Sequence, residues 1–209
     1  MTELPADAPE HRQRRWHEAH DRLYDAACEL FMQSGYIGTS MEEIADRAHM
    51  VRKTAFNHFP RKRDFINEWG RRRREQVLSA LSPELMSDAS IEVVLRHYFA
   101  ELSAVNLEQR ALTICMSAGW REQGGPFDTD PHELLDVFRG FLTDAKERGE
   151  IAASVDVAQM GTVLYSSYFG ILYEWCKGSE SEPPFDLKVA YARMLDVIWA
   201  GLHAQSGWS

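Results

Sequence analysis

Residues 40–59, SMEEIADRAHMVRKTAFNHF, have the pattern of two short helices joined by a tight turn. Ser40 is a good N-cap for the first helix, and Glu43 three positions later completes a capping box. The second helix is marked by apolar residues at helical spacing before Pro60: Ala55, Phe56 and Phe59. This pattern predicts a helix-turn-helix, which places its second helix in the major groove of DNA.

Two such short helices need a third helix against which to bury their apolar faces. The stretch upstream supplies one, because apolar residues recur there at helical spacing: Leu23, Ala26, Ala27, Leu30 and Phe31. Gly35 follows as the expected C-cap. From periodicity alone, an ordinary three-helix corner of an all-α protein remains an open alternative.

An ordered series of landmarks surrounds this pattern. It consists of Ala26-Ala27, Leu30-Phe31, Gly35-Tyr36, Thr39-Ser40, Ile44-Ala45, Ala48, Thr54, Phe56, His58-Phe59, Lys62 and Phe65. Through this series the chain resembles the tetracycline-repressor (TetR-like) family of transcription regulators over residues 17–77. The resemblance implies a DNA-binding domain in which the helix from Arg52 to His58 is the recognition helix.

The resemblance also implies which residues contact DNA. Phosphate contacts are implied at Ser40, Thr54, Phe56, His58 and Lys62. The whole DNA-binding set is predicted as Ser40, Met41, Arg52, Lys53, Thr54, Phe56, Asn57, His58 and Lys62.

Three positions depart from the family pattern. The family usually has Gly where this chain has His49, so His49 is expected to occupy a left-handed turn. Val51 stands where the family has Ser or a similar residue, and it cannot cap the recognition helix. Phe56 replaces a Tyr and lacks the hydroxyl that would donate to a phosphate.

Charge is unevenly distributed along this acidic chain, whose net charge is -9. Residues 1–81 carry 14 Lys or Arg against 13 Asp or Glu, whereas the remainder carries 9 against 19. Within residues 47–74, ten basic residues face only Asp64 and Glu68. One basic face on an acidic protein favours local contact with phosphates, although a solvated charged face would give the same count.

Two other basic segments were weighed as DNA contacts. Arg71 to Arg74 cover a whole helical turn beyond Lys62, which favours electrostatic steering or pairing with the acidic domain over direct contact. Residues 1–16 are polar and contain two prolines, which predicts a disordered tail. Its arginines could form a minor-groove arm, but a solvated tail is favoured: Arg12, Arg14 and Arg15.

The rest of the chain has helical apolar spacing and no strand or hairpin pattern, so we predict an all-α fold of about nine helices. A helix from Lys62 to Leu81 connects the two parts of the chain. Further helices are predicted near Ile91–Ala104, Leu107–Trp120, His132–Arg148, Val155–Cys176 and Leu187–Ala204. The predicted domains are the tail at 1–16, the helix-turn-helix domain at 17–77 and a helical ligand-binding and dimerisation domain at 78–209.

The last two predicted helices have long apolar seams, which suits either a dimer interface or a monomer core. DNA binding favours the dimer, since its two recognition helices can reach two half-sites about 34–36 Å apart. The predicted interface residues are Tyr168, Ile171, Leu172, Trp175, Tyr191, Leu195, Ile198 and Trp199.

A small-molecule effector is expected in the C-terminal domain, because the resemblance implies ligand control through the helix that starts at Lys62. Aromatic and sulfur side chains are the candidates for its pocket, and they hint at an apolar or aromatic compound. They are Tyr98, Phe99, Met116, Trp120, Phe138, Phe141, Tyr165 and Phe169.

Membrane and secretion signals are weak. The uncharged stretch Val157–Tyr173 only reaches the lower limit of a spanning length and contains several polar residues, which favours a buried helix. The N-terminus has no apolar signal core, and three dispersed cysteines suit reduced thiols. We therefore predict a cytoplasmic protein without a membrane partner; a redox role for Cys28, Cys115 or Cys176 is the less favoured reading.

Patterns for catalysis are weak as well. Asp128, Asp130, His132 and Glu133 could suggest a metal cluster, but Asp130-Pro131-His132-Glu133 is also a good helix start. No phosphate-binding glycine loop or nucleophile elbow is present. We predict no enzyme activity, no catalytic or metal site and no cofactor.

These observations predict a homodimeric transcriptional repressor that binds double-stranded operator DNA and is released by a small-molecule ligand. Two alternatives stay open: a protein that binds DNA without sequence preference, and a helical metal-dependent enzyme.

Overall fold

A computed structural model describes residues 8–128, 133–179 and 181–205. The described residues form ten α-helices and one short 3-10 turn, with no strand among them. The helices are α1 (Ala8–Gly38), α2 (Met41–Arg47), α3 (Arg52–His58), α4 (Arg63–Ala80), α5 (Pro83–Asp88), α6 (Ile91–Glu108), α7 (Arg110–Glu122), α8 (Glu133–Glu147), α9 (Val157–Trp175) and α10 (Leu187–Gln205).

The all-α prediction is confirmed, and two details of it were wrong. Helix α1 begins at Ala8, so residues 8–16 are helical rather than part of a disordered tail. The short helix α5 was missed; Ser82 is its N-cap and Pro83 its first residue. The proposed cap at Asp130 lies outside the described residues.

The first three helices and the start of α4 form a small bundle around a phenylalanine core. The rings of Phe59 and Phe65 stack at a centroid distance of 3.9 Å, and Phe31 meets Phe65 edge-on. Gly35 interrupts the regular helix within α1 with a φ of 74°, a conformation that favours glycine. This turn redirects the chain ahead of α2.

Helix α4 joins the bundle to the C-terminal body built from α6 to α10. It runs through the domain boundary predicted after residue 77, so the two parts share one continuous helix. Helix α7 packs closely on the bundle at Gly119, where a Cβ atom would come within 2.7 Å of the Tyr36 ring. No helix among the described residues is long and apolar enough to cross a membrane.

Candidate functional site

The first helix of the helix-turn-helix begins with the predicted capping box. The Ser40 side chain accepts a hydrogen bond from the Glu43 N–H at 3.2 Å, and the Ser40 N–H donates to the Glu43 carboxylate at 2.7 Å. The Ser40 hydroxyl also donates to this carboxylate at 2.8 Å, and the two bonds donated by Ser40 lower the pKa of Glu43 because they favour its charged form. The start of α2 is therefore fixed by its own first turn.

The turn between α2 and α3 has the two irregularities that the sequence predicted. His49 is the only residue other than glycine with a positive φ in the described part of the chain, at 54°. Val51 is the N-cap of α3, and its side chain makes no capping hydrogen bond. The first turn of the recognition helix thus lacks a side-chain acceptor for its backbone N–H groups.

Replacing Val51 with serine is expected to raise the free energy of unfolding by about 1 kcal/mol, since a hydroxyl there would accept from an orphan N–H. Val51 is 71% exposed, so the change removes little packing. Val51→Ala is the matched control, because it removes the same apolar groups without adding an oxygen. Equal stability of the two variants in chemical denaturation would contradict this account of the turn.

The outer face of α3 presents a polar and basic surface. Arg52, Lys53 and Asn57 are exposed, and Thr54 is half-buried beside them. The Arg52 guanidinium pairs with Glu42 at 2.7 Å and lies 5.2 Å from the centre of the Phe56 ring. An exposed pair of this kind is weak, so Arg52 is available to exchange Glu42 for a base edge or a phosphate.

Two residues of the predicted DNA-binding set take other roles in the free protein. Met41 is buried at 9% exposure in the core, which corrects its placement among the contacts: as the first residue of α2 it points inward. Phe56 is half-buried against the core, so its ring packs as expected from the missing hydroxyl.

His58, at the end of α3, turns its ring toward α1. Its ring lies 4.9 Å from Trp16, while His20 stacks on Phe59 at 4.2 Å. Burial lowers the pKa of both histidines, and for His20 the nearby Glu68 carboxylate opposes that effect. These aromatic contacts fix the recognition helix to α1.

Lys62 joins the end of α1 to the start of α4. Its ammonium donates to the carbonyl oxygens of Tyr36 at 2.7 Å and Thr39 at 2.9 Å, and it lies 4.3 Å from the centre of the Tyr36 ring. Burial lowers the pKa of Lys62. With three N–H donors in total, Lys62 keeps one for a phosphate.

The arginine run on α4 is paired with acidic groups, as the sequence reading favoured over direct DNA contact. Arg71 pairs with Glu68 and Glu75, and Arg72 pairs with Glu68 and Asp21. Arg74 pairs with Glu133 of the acidic body. Arg73 differs from its neighbours, because it is buried against neutral partners.

The predicted effector-site residues lie together inside the body. All eight are buried, and the seven aromatic rings fall into two groups, one around Phe99 and one around Phe169. Phe99 stacks on Phe138 at 5.4 Å, and Trp120 meets Phe169 edge-on at 5.1 Å. Tyr168 links the two halves by contacting both Phe99 and Phe169.

Comparison with known proteins matches this architecture. Residues 23–69 match the family model described as bacterial regulatory proteins, tetR family. The crystal structure of Thermus thermophilus FadR, a TetR-family transcriptional repressor in complex with lauroyl-CoA, superimposes with a TM-score of 0.65 at 25% identity, covering 88% of this chain and 94% of that one. The chain belongs to the TetR family.

Other relatives of this TetR-family chain extend over most of its length. The fatty acid metabolism regulator protein of Bacillus subtilis is 19% identical over 87% of this chain and 94% of its own. The structure of FadR from Bacillus subtilis with stearoyl-CoA has a TM-score of 0.63 at 18% identity, covering 85% and 96%, and so shares the fold. Together with the family match over residues 23–69, these relatives identify the chain as a transcriptional regulator of the TetR family.

The predicted dimer residues of this TetR-family chain need correction. Six of the eight are buried in the core of the single chain: Tyr168, Leu172, Trp175, Tyr191, Leu195 and Trp199. Ile171 and Ile198 are only half-buried. Helical spacing identified the apolar seams, but it could not show that these seams pack on the chain's own body.

A second face of α9 and α10 is apolar and open, and among the eight predicted interface residues only Ile171 lines it. It forms a groove of about 590 Å³. Val189 is 43% exposed and Val197 is 73% exposed along this groove. The lining consists of Gly170, Ile171, Glu174, Phe185, Asp186, Val189, Ala190, Arg193, Met194 and Val197. Apart from Ile171, these positions lie outside the predicted interface set.

Proposed function

We infer that this regulator is a cytoplasmic homodimeric repressor that a small molecule releases from its operator. The observation that carries the inference is the presence of two surfaces on the same chain. One is the polar and basic outer face of α3, and the other is the open apolar groove between α9 and α10. A dimer formed through the groove would present two recognition helices to two half-sites.

The groove supports dimerisation by its composition. Apolar side chains line it at Val189, Met194 and Val197, and Glu174 and Arg193 supply opposite charges on its lining. In a two-fold interface the same patch faces itself, so these charges would be placed to pair between protomers. The two helices of each protomer would then form a four-helix interface.

The buried aromatic cluster supports an effector site in the body, at the predicted residues around Phe99, Phe138 and Phe169. Trp120 contacts Phe169 at one edge and Trp69 of α4 at the other, with ring centres 5.1 and 5.6 Å apart. Its neighbour Gly119 lies against Tyr36 at the end of α1. A ligand that displaces Trp120 would therefore move α4 and α1, which support the recognition helix α3.

Release follows as a population shift. A ligand that binds more tightly when α4 is displaced lowers the fraction of dimers whose two recognition helices fit both half-sites. Operator affinity can then fall by at most the ratio of the ligand's affinities for the two conformations. The solved relatives with lauroyl-CoA and stearoyl-CoA support an effector with a long apolar part. The mostly apolar and aromatic lining of the cluster fits such a group.

Selection of genomic fragments bound by the purified chain tests this function. We expect enrichment of a short site with two-fold symmetry, and release of that site on addition of lauroyl-CoA but not of coenzyme A alone. Fluorescence anisotropy of the labelled fragment is the measurement. Unchanged or tighter binding with lauroyl-CoA and with laurate would contradict release by an apolar acyl ligand, while a site without symmetry would contradict the dimer.

A further inference from the structure

Arg73 is a charged side chain enclosed by the protein. It is 5% exposed, and its guanidinium lies 4.3 Å from the centre of the Trp69 ring. Its Nη1 group donates to the Asn106 side-chain oxygen at 2.6 Å, and its Nη2 group donates to the Thr113 hydroxyl at 2.7 Å. All these partners are neutral.

The positive charge of Arg73 has no counter-ion within the described part of the chain. None of the described carboxylates comes within ion-pair distance of it, and the buried Nε–H group has no acceptor there. Burial lowers the pKa of Arg73 to about 10, so the side chain still carries its charge near neutral pH. An enclosed charge without a partner is costly, which sets Arg73 apart from the paired Arg71, Arg72 and Arg74.

A cleft of about 350 Å³ opens beside Arg73, between α1, α4 and α7. Its lining is Tyr24, Asp25, Cys28, Trp69, Arg72, Arg73, Gln76, Gln109 and Leu112. The charge of Arg72 is already matched by Glu68 and Asp21, and Asp25 is exposed. Arg73 is therefore the unmatched charge in a cleft that also offers amide and hydroxyl donors.

We propose that this cleft binds an anionic group, a carboxylate or a phosphate, with Arg73 as its counter-ion. The guanidinium is already oriented by Asn106, Thr113 and Trp69, so little ordering is required on binding. Because α1 belongs to the DNA-binding domain and α7 to the C-terminal body, an anion held here contacts both parts at their junction. If the proposed release by a ligand holds, this anion is the charged group of the effector.

Titration of the purified full-length chain tests the site without DNA. Inorganic phosphate, acetate and laurate are added at constant ionic strength, and the ¹H–¹⁵N signal of the Arg73 Nε–H is followed by NMR. We expect a saturable shift of this signal with at least one of the three. Saturation by phosphate identifies a phosphoryl group, and tighter binding of laurate than acetate identifies the carboxylate of an apolar acid.

Arg73→Met removes the charge while keeping an apolar chain of similar length on Trp69. We expect the dissociation constant of the bound anion, measured by calorimetry, to rise about tenfold or more. Arg110→Met is the matched control: Arg110 is 6% exposed and lies over Trp175, but it donates to backbone carbonyls and does not line the cleft. Its anion binding should equal that of the wild type.

Two results would overturn the site: no saturable shift of the wild-type Arg73 signal with any of the three anions, or equal anion binding by Arg73→Met and the wild type. The wild-type NMR arm does not depend on how the variant folds. Operator binding is measured separately, and Arg73→Met should keep it in the absence of anions. Failure of the anion site with intact release by lauroyl-CoA would overturn the site and leave the proposed function standing. Anion binding at Arg73 without release by lauroyl-CoA would support the site and contradict the proposed release.

Discussion

Alanine at both Arg52 and Lys53 is expected to weaken operator binding by about a hundredfold or more, because each base contact of this kind is worth about 1–3 kcal/mol. Both side chains are exposed at the start of α3, where recognition helices meet base edges. In a dimer the loss occurs at both recognition helices. Binding curves with the selected operator at one fixed salt concentration are the measurement.

The fold should not change in this double variant. The Arg52–Glu42 pair has side chains 67% and 47% exposed, and such pairs contribute at most about 1 kcal/mol. Arg121→Ala with Arg148→Ala is the matched control, since it removes the same charge from exposed sites on the body that lie outside the groove. If the control lost as much affinity as the α3 variant, general electrostatics rather than the recognition helix would explain binding.

Val197→Asp is expected to separate the dimer, raising its dissociation constant about a hundredfold or more. Val197 is 73% exposed in the single chain, so the monomer tolerates a carboxylate there. In the proposed interface that carboxylate is buried without a partner, at a cost of several kcal/mol per ion. Sedimentation of the two proteins over a concentration series is the measurement, and operator affinity should fall with dimer content.

Val93→Asp is the control for this change, because Val93 is another exposed helical valine at 38% exposure and lies outside the groove. It should remain a dimer with normal operator binding. A Val197→Asp protein that sediments like the wild type would place the interface elsewhere on the surface.

Local features of the DNA-binding domain were predictable because they depend on residues close in sequence. The capping box at Ser40 follows from one turn of chain, and the left-handed His49 and the uncapped Val51 were expected from their departure from the family pattern; all three are present. The prediction of a disordered tail relied on local sequence as well, and it was wrong over residues 8–16. Residues 8–16 look polar and solvated, yet they extend α1 as a continuous helix.

Features that depend on distant contacts were not predictable. Spacing along α9 and α10 shows apolar seams, but only the packed body shows that Trp175 and Tyr191 face inward while Val197 faces out. In the sequence, Arg73 is one of four consecutive arginines, and the sequence does not distinguish it from its neighbours. Its burial depends on Asn106 and Thr113, which lie 33 and 40 residues away along the chain.

The central claim is that the recognition helix α3 recognises a particular DNA sequence. The ratio of two affinities at matched salt tests this claim most directly. The selected operator and a random duplex of equal length are titrated with the same dimeric protein. We expect the operator to bind about a thousandfold or more tightly, in the range of specific regulators. Equal affinities for the two duplexes would contradict the claim and indicate a protein that binds DNA through its basic face alone.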